Sequence, residues 1–596
     1  MQLLPRHARN QDGMALLFVL LLAAALAALA LAAVSLSGNA RLITLHEERQ
    51  DEMEAAADAG LETVRARINA NRRLFPDSGY ATLENGVAVA DAGGTVVPGL
   101  RRYTYAGPIG VATGQYGVFG AIVSEVRFGN GDRLVRRADV VQESFAKFAY
   151  FTDVEPDNIA FGSGDVITGP VHSNDEIKIY NSRATFRGPG SVTTARYIEG
   201  KPYGTFVEGY EEGVARIELP ETAELERLRA QAAAGGTSFA ELTGGGADEP
   251  RIRIEFLTVD ADQDGNLDED EGFFRVYQSR QGLWMMAYQP GAGWQGTSNC
   301  GYRDGAGRFI TPPEMPGGNA AVKRPFMRQA NAWCYLGGDP RLNDGLPDGR
   351  FDPEDVNGAN NQGWLRRPFA YTGGLPPGVS ARADRDFLFP LSRRYNPNFK
   401  GVIHVSGDVA LSGVVHGRVT IAATESIFIA DDLRYAIEPG VVACDNADMV
   451  GLFSGDDVVV ADNMINTPMD VGGGGGFKTY DEDTSSEFIH AVILALDVFT
   501  VRNFDGGPDA AERCEGTNRG RGCLYLSGGV IQRTRGAVGT TAGTGYLKRY
   551  SYDACARSNP PPYFPTTGRF SRSRYFEVDP AGFQARAYYD RWAAGN

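Results

Sequence analysis

The amino-acid sequence predicts a mainly β protein of the α+β class. A long N-terminal transmembrane helix comes first, followed by a small antiparallel sheet and a β-solenoid (parallel β-helix) body with a loop-rich, calcium-binding insertion. Three observations predict this: an uncharged N-terminal run, a hairpin signal near residue 130, and short apolar strands that recur along the second half of the chain. At 596 residues the chain is too long for one hydrophobic core.

The predicted transmembrane helix is Met14–Leu36, and residues 1–13 form a short basic leader on its cytoplasmic side. The run has 23 residues without a charge, which at about 1.5 Å per residue spans the hydrocarbon layer. Arg6 and Arg9 precede it, and the acidic residues that follow it are Glu47, Glu48, Asp51, Glu52 and Glu54. Because basic flanks stay in the cytoplasm, we expect a single-pass protein whose body is exported.

Beyond the membrane, residues 37–76 are predicted to continue the helix as an amphipathic segment. Small or apolar residues recur there at spacings of three and four, namely Met53, Ala57, Gly60, Leu61, Val64 and Ile68. Pro76 is expected to end the segment.

Three N-terminal features together carry a family resemblance. The leader ends in Gly13, the apolar run starts at Met14, and Glu54-Ala-Ala-Ala-Asp-Ala-Gly-Leu-Glu62 follows. This resembles the N-terminus of the PilX-type minor pilins of the type IV pilin superfamily, over about 60 residues. The resemblance implies cleavage between Gly13 and Met14 by a prepilin peptidase. It also implies that the helix contacts other pilins or pseudopilins, first in the bacterial inner membrane and then at the cell surface or in a pilus.

One position departs from the family pattern. Most pilins have a glutamate five residues into the mature chain, where this sequence has Phe18. Tip-type minor pilins and the K-type pseudopilin of type II secretion also tend to lack this acid. The resemblance therefore implies a minor pilin or pilus-assembly protein, with a K-type pseudopilin as the alternative. An uncleaved signal anchor and secretory cleavage near residues 30–32 are further alternatives for the N-terminus.

Residues 77–156 are predicted to form the small antiparallel sheet of a pilin. Two apolar, β-rich runs, Tyr116–Phe128 and Arg133–Gln142, flank Asn130-Gly131. An Asn-Gly pair between such runs is a strong hairpin signal.

The β-solenoid body is predicted in two parts, residues 157–214 and 396–540, with 541–596 as a C-terminal cap or tail. Its main evidence is an internal repeat, in which Glu425–Leu433 aligns with Asp456–Met464 after 31 positions. Short strands at such a spacing favour coils of a parallel β-helix. An antiparallel sandwich is the competing interpretation.

Net charge limits the partners. The chain has 58 basic and 74 acidic residues, a formal net charge of -16. Such a body repels phosphate backbones, so no nucleic-acid partner is expected, whereas divalent cations and a surface ligand are compatible with it.

The strongest motif lies in the predicted insertion, residues 215–395. Residues 260–271 fit the calcium loop D-x-D-x-D-G-x-x-x-x-x-E, with Gly265 at the sharp turn and Leu267 expected to pack inward. The predicted ligands are Asp260, Asp262, Asp264, Asn266 (through its carbonyl), Asp268 (through a water) and Glu271 (through both oxygens). Strand-like segments flank the loop, which favours a structural clamp over a sensor.

A degenerate second loop covers residues 344–355. Its candidate calcium ligands are Asp344, Asp348, Asp352 and Asp355, but Leu346 stands where a ligand is expected. A turn-rich acidic loop without metal is the alternative.

Six cysteines, with no CxxC pair, predict disulfides in an oxidising compartment. Eight residues separate Cys514 from Cys523, so these two can close a tight loop. Cys300 with Cys334 would staple the insertion, which leaves Cys444 and Cys555 as partners.

We expect no enzymatic activity and no catalytic residues. The sequence has six histidines and contains neither HExxH nor GxSxG. The four histidines of the body, His172, His404, His416 and His490, are expected to be structural or surface residues. A membrane-anchored β-helix protein that binds or cleaves carbohydrate is the alternative from another class, and it rests on fold analogy.

Overall fold

A computed structural model provides the structure of the chain. It describes residues 12–76, 78–109, 119–162, 164–181, 183–241, 250–279, 328–329, 332–333, 364–382, 385–460, 477–478, 486–502, 504–505, 514, 522–540 and 542–594.

Five α-helices and 31 strands are assigned in these ranges. The helices are α1 (Asp12–Ala70), α2 (Ala223–Gly235), α3 (Pro377–Ser380), α4 (Cys555–Ser558) and α5 (Ala585–Ala594). The strands in chain order are β1 (Ala81–Ala90), β2 (Val96–Pro108), β3 (Phe119–Arg127), β4 (Arg133–Ser144), β5 (Tyr150–Val154), β6 (Val166–Thr168), β7 (Val171–Ser173), β8 (Ile177–Lys178), β9 (Ala184–Arg187), β10 (Val192–Thr194), β11 (Ile198–Glu199), β12 (Gly204–Phe206), β13 (Tyr210–Glu212), β14 (Ser238–Ala240), β15 (Ile252–Thr258), β16 (Gly272–Ser279), β17 (Arg328–Gln329), β18 (Ala332–Trp333), β19 (Trp364–Arg366), β20 (Phe389–Pro390), β21 (Val402–Ser406), β22 (Val409–Val415), β23 (Arg418–Ala423), β24 (Ile427–Tyr435), β25 (Met449–Ser454), β26 (Val458–Val460), β27 (Phe477–Lys478), β28 (Glu487–Val501), β29 (Cys523–Arg535), β30 (Leu547–Tyr552) and β31 (Thr566–Val578).

The chain divides into two compact units. The first unit comprises the described residues of 1–111, 119–141 and 570–596, and the second unit comprises those of 142–569. The prediction of a mainly β protein with a long apolar N-terminal helix and an antiparallel sheet is confirmed.

The first unit is an antiparallel sheet with a helix on each face. Its strand order is β1-β2-β3-β4-β31. Met53, Ala56 and Ala57 of α1 pack with buried residues of β1 to β4 on one face, whereas Tyr588 and Tyr589 of α5 pack with β3 and β4 on the other. The sheet thus buries both faces although it is small.

The predicted hairpin forms as β3 and β4. The two strands pair antiparallel from Phe119↔Val141 to Arg127↔Arg133. In the connection between them, the Phe128 N–H donates a hydrogen bond to the Asp132 carbonyl at 2.9 Å. Gly131 has a φ of +101°, a conformation that glycine adopts without a Cβ clash. Residues 116–118 of the predicted first strand lie outside the described residues.

The second unit contains a 21-stranded sheet in which most neighbours are parallel. The predicted repeat matches the register of one strand pair in this sheet, because β24 pairs with β26 through Ile427↔Val458 and Ile429↔Val460, an offset of 31 positions. The equivalents of 430–433 at 461–464 lie outside the described residues. A purely antiparallel sandwich, the competing prediction, does not describe this sheet.

Alternating side chains of the parallel strands serve two separate cores. On β21, Ile403 and Val405 belong to the larger core, which also holds Ile427, Ile429 and Leu452. Val402 faces the opposite way, into a second core that includes residues of α2. The period of two along each strand therefore buries both faces, as expected for a parallel sheet.

Two chain segments join sheets that the sequence interpretation did not assign to them. Residues 238–258, predicted as part of an insertion, contribute β14 and β15, which pair in parallel with β21 and β22. In the predicted C-terminal cap, β30 pairs with β29, and β31 belongs to the sheet of the first unit. The helix α2 also lies within this predicted insertion.

Candidate anchoring helix and calcium-binding loop

The first part of α1 is a bare apolar helix. Residues Met14 to Leu36 are all exposed, and Phe18 is 67% exposed. Among the described residues, α1 is the one helix long and apolar enough to cross a membrane. An uncovered helix of this length is unfavourable in water, because its apolar side chains have no core to enter.

The predicted cleavage residues lie at the start of the same helix. Since α1 begins at Asp12, both Gly13 and Met14 belong to its first turn. Residues 1–11 of the leader lie outside the described residues, and the cleavage stays a prediction.

The second part of α1 packs tightly on the sheet through small residues. Ala57 is fully buried and Ala56 nearly so. At Gly60 an added Cβ would overlap Ser124 Oγ and lie 2.7 Å from Arg102 Cδ. The Ala-Ala-Ala-Asp-Ala-Gly stretch that carries the family resemblance is therefore, in physical terms, a surface of close helix–sheet approach.

The acidic residues of that stretch bind cationic and phenolic groups of the first unit. Arg136 on β4 contacts Asp58 and Glu54, each at 2.8 Å. Tyr575 on β31 donates its hydroxyl to Asp58 Oδ1. Burial, together with this bond to Asp58, raises the pKa of Tyr575 well above its ordinary value. The small residues thus allow α1 to approach the sheet closely, and the acidic residues bind it there through ion pairs and a hydrogen bond.

The calcium-loop sequence connects two antiparallel strands. The strands β15 and β16 pair from Ile252↔Gln278 to Thr258↔Gly272, so residues 259–271 form the hairpin connection. The predicted strands on both sides of the loop are confirmed. The loop is consequently anchored at both ends by a ladder of backbone hydrogen bonds.

Three of the predicted ligands converge in the structure. The carboxylate oxygens of Asp260, Asp262 and Asp264 lie within 4.8 Å of one another, and all three residues are exposed. The Asp264 N–H donates to Asp260 Oδ1 and Asp262 Oδ1 at 3.2 Å each, and the Gly265 N–H donates to Asp260 Oδ2 at 3.0 Å. Gly265 has a φ of +85°, which confirms the sharp turn.

Glu271 has a different place from the three aspartates. It is 1% exposed, and its Oε1 accepts the N–H groups of Ala261 and Asp262 while Oε2 accepts that of Asp268 at 3.0 Å. In this structure Glu271 therefore holds the two ends of the loop together. Its predicted role as a bidentate ligand stays a prediction.

The expected inward packing of Leu267 is wrong, since this side chain is 40% exposed. A helix–loop–helix calcium site buries the equivalent side chain between its two helices, whereas here both flanking elements are strands. The local environment thus departs from the setting in which the motif is best known.

The carboxylates of the loop act on one another's pKa values. Partial desolvation, followed by repulsion from Asp264 and Asp262, raises the pKa of Asp268. At Asp264, hydrogen bonds from the backbone and side chain of Asn266 lower the pKa instead. The loop therefore concentrates negative charge that its own N–H groups neutralise only in part.

His416 links this loop to the parallel sheet, a contact that the sequence interpretation missed. Its Nε2 donates to the Asp268 carbonyl at 2.8 Å, and its Nδ1 lies 2.9 Å from Asp448 Oδ1. Although burial lowers it, the bond to Asp448 raises the pKa of His416 overall. A cavity of about 210 Å³ lies beside this pair, with Glu269 and Arg418 in its wall.

The second candidate loop, with Asp344, Asp348, Asp352 and Asp355, lies outside the described residues, as do Cys300 and Cys334. A further acidic group that the sequence interpretation missed comprises Asp456, Asp457 and Asp497. These residues meet only when parallel strands stack, so no local motif marks them.

Two of the three predicted disulfides are confirmed. Cys444 pairs with Cys555 at a Cα–Cα distance of 5.0 Å, and Cys514 pairs with Cys523 at 4.5 Å.

Comparisons with known proteins add one solved structure. No family model matches the chain, and no curated protein matches it. The crystal structure of the competence-associated pilin ComZ from Thermus thermophilus is similar at 12% identity and a TM-score of 0.21, covering 88% of this chain and 96% of that chain. At that TM-score the likeness establishes neither a shared fold nor a shared family.

Proposed function

We propose that this chain is a non-enzymatic minor pilin of the PilX type, or a pilus-assembly protein, anchored in the bacterial inner membrane. One observation carries the proposal. The helix α1 is exposed and apolar over Met14–Leu36, yet from Met53 onward it packs against an antiparallel sheet through small residues. A helix that serves at once as membrane span and as sheet-packing element suits a subunit that leaves the bilayer for a helical assembly.

The proposal includes an orientation and partners. Arg6 and Arg9 keep the leader in the cytoplasm, and the prepilin peptidase removes it after Gly13. The released helix then contacts the helices of other pilins. Phe18, in place of an acid, suits a terminal position in which no neighbour's ammonium needs an ion-pair partner.

We further propose that the parallel sheet of the second unit winds as a β-solenoid with calcium as a structural ion. The offset of 31 positions between β24 and β26 supports the solenoid. The three converging aspartates support calcium, with Asn266 and Asp268 as further oxygen donors and Glu271 as ligand or organiser of the loop. The body presents a surface for an extracellular ligand, and we assign it no catalysis.

Processing tests the pilin proposal. Protein from membranes should begin at Met14, and Gly13→Val should retain Met1 because a branched side chain blocks the peptidase. Gly38→Val is the matched control, since nothing lies within 4 Å of a Cβ at that helical glycine. Intact-mass analysis that finds Met1, or a start beyond Ala32, in the unmodified protein would exclude a pilin. Photocrosslinking from position 18 identifies the neighbouring helices and separates a pilus from a secretion pseudopilus.

Calorimetry and melting test the calcium proposal. Extracellular modules bind calcium at about 0.1–1 mM, and a hundredfold excess over Kd would add about 2.7 kcal/mol of stability. Chelator should therefore lower the Tm of the full chain in detergent, and Asp260→Asn with Asp264→Asn should remove that difference. Asp456→Asn is the control from the other acidic group. A Tm that is the same with and without chelator would show that the loop is an acidic turn without calcium.

A further inference from the structure

The helix α2 covers part of the second unit's sheet through a narrow apolar seam. Only four of its 13 residues are buried, and they are Leu225, Leu228, Ala232 and Gly235. Leu225 and Leu228 pack with Val402 of β21 and Ala422 of β23. The other nine residues of α2 are exposed or half-buried, whereas β21 and β23 beneath it are buried at all positions but one each, so α2 is the more easily released element.

His404 lies on the strand face that α2 covers. It follows Val402 by two residues, so both side chains point to the α2 side, while Ile403 and Val405 point into the other core. The side chain is fully buried, and within the described residues neither ring nitrogen has a hydrogen-bond partner. A buried polar group without a partner is rare. The imidazole of His404 is neutral here, because the N–H groups of a charged imidazolium would find no acceptor in this buried position.

Few charges act on His404. From α2, Arg229 opposes its protonation and Glu226 favours it, and both of these side chains are exposed. Along the sheet its register neighbours are Ser238 of β14 and Ala422 of β23, which carry no charge. Among the described residues, Glu226 is therefore a carboxylate that favours an imidazolium here, and the larger opposing effect of Arg229 outweighs it.

We propose that His404 makes α2 an acid-released cover, held on the sheet at neutral pH and freed when the histidine takes up a proton. Leaving the sheet exposes His404 to water, where it can be charged. The same step uncovers Val402 and Ala422, an apolar strip that is closed at neutral pH. The device does not depend on the proposed pilin function, since it needs only the packing of α2 on β21 and β23.

The size of the effect follows from proton linkage. Burial lowers the pKa of His404 to about 4, from an ordinary value of 6.5. Between about pH 7 and pH 5, the equilibrium constant for release of α2 should therefore rise about twentyfold.

Hydrogen exchange measured by mass spectrometry on the full chain tests this. After correction for the intrinsic exchange rate, the protection of residues 223–235 should fall about twentyfold between these two pH values. The strand Met449–Ser454 provides the internal reference and should lose much less protection. Equal protection of α2 at both pH values, or an equal loss in the reference strand, would overturn the proposal.

Substitutions assign the effect to the histidine. His404→Leu should keep α2 protected at both pH values, because leucine fills a similar volume and cannot be charged. If that variant fails to fold, His404→Met provides a flexible side chain of similar size and the same expectation. His490→Leu, at a buried histidine distant from α2 in the sheet order, should leave the α2 response intact. A His404→Leu protein that still releases α2 in acid would refute the assignment.

Discussion

Gly60 of α1 faces Ser124 of β3 so closely that a Cβ atom at Gly60 would overlap the Ser124 hydroxyl oxygen. Ser124 is itself fully buried. The glycine therefore sets the distance between the helix and the sheet, and any larger residue must displace either the serine or the neighbouring Arg102 side chain.

Gly60→Ala should destabilise the first unit by about 1–3 kcal/mol, because overpacking at a buried contact costs more than the helix gains from alanine. Gly38→Ala is the matched control, since nothing lies within 4 Å of a Cβ there. Denaturant unfolding followed by tyrosine fluorescence compares the two variants with the unmodified chain. A Gly60→Ala protein as stable as the Gly38→Ala protein would contradict the close approach.

Substitutions of two carboxylates in the proposed calcium loop should have opposite effects on stability when calcium is absent. Glu271→Gln places an amide donor or a weaker acceptor against the N–H groups of Ala261, Asp262 and Asp268, so it should cost about 1–3 kcal/mol even in chelator.

Asp262→Asn keeps an acceptor oxygen for the Asp264 N–H and removes one of the mutually repelling charges. Its stability in chelator should equal or exceed that of the unmodified chain, while the gain from calcium is lost. Thermal melting with and without calcium measures both variants. An equal loss for the two in chelator would show that Glu271 has no special structural part.

The two disulfides should differ in their contribution to stability. Cys444 and Cys555 are 111 positions apart, whereas Cys514 and Cys523 are 9 apart. In the chain-entropy model the longer loop contributes about 2 kcal/mol more. Unfolding of the paired serine variants, Cys444→Ser with Cys555→Ser against Cys514→Ser with Cys523→Ser, gives the two costs. A larger loss from the short loop would point to strain or residual structure instead.

Buried histidines should make the second unit acid-sensitive. Burial lowers the pKa of His172 and His490 to about 4, as it does for His404. The unfolded chain, with pKa values near 6.5, therefore binds more protons between about pH 6.5 and pH 4. The free energy of unfolding should fall as the pH falls through this window, by about 1–2 kcal/mol per histidine at about pH 5.

His416 has the opposite effect on the free energy of unfolding, because its pKa is raised in the folded chain. It stabilises the fold at low pH, and this contribution is lost as the pH rises. Urea unfolding at several pH values measures the sum. His490→Leu should reduce the acid loss by about 1–2 kcal/mol at about pH 5. A free energy of unfolding that stays level from neutral to acid would contradict the assigned burial.

Local patterns were sufficient for several elements. The charge-free run and the spacing of Met53, Ala57 and Leu61 predicted α1, and Asn130-Gly131 predicted the hairpin of β3 and β4. The repeat predicted the register of β24 and β26. Each of these signals lies within a few residues or in one repeat unit, where backbone geometry and side-chain period act directly.

Tertiary structure decided which distant strands pair with one another, because the local signals contain no information about these partners. The parallel pair of β5 and β29 joins Tyr150 to Val530, and β31 returns to the sheet of the first unit. Parallel partners are chosen by packing across long stretches of chain, so neither strand carries a local sign of the other.

In the loop of residues 260–271, too, some features follow from the local sequence and others from the tertiary structure. The sequence determined the turn at Gly265 and the three aspartates that converge around it. Only the folded chain placed Glu271 against backbone N–H groups and His416 against the Asp268 carbonyl. Spacing along a chain fixes which groups can meet locally, whereas burial and a distant strand decide which hydrogen bonds those groups finally make.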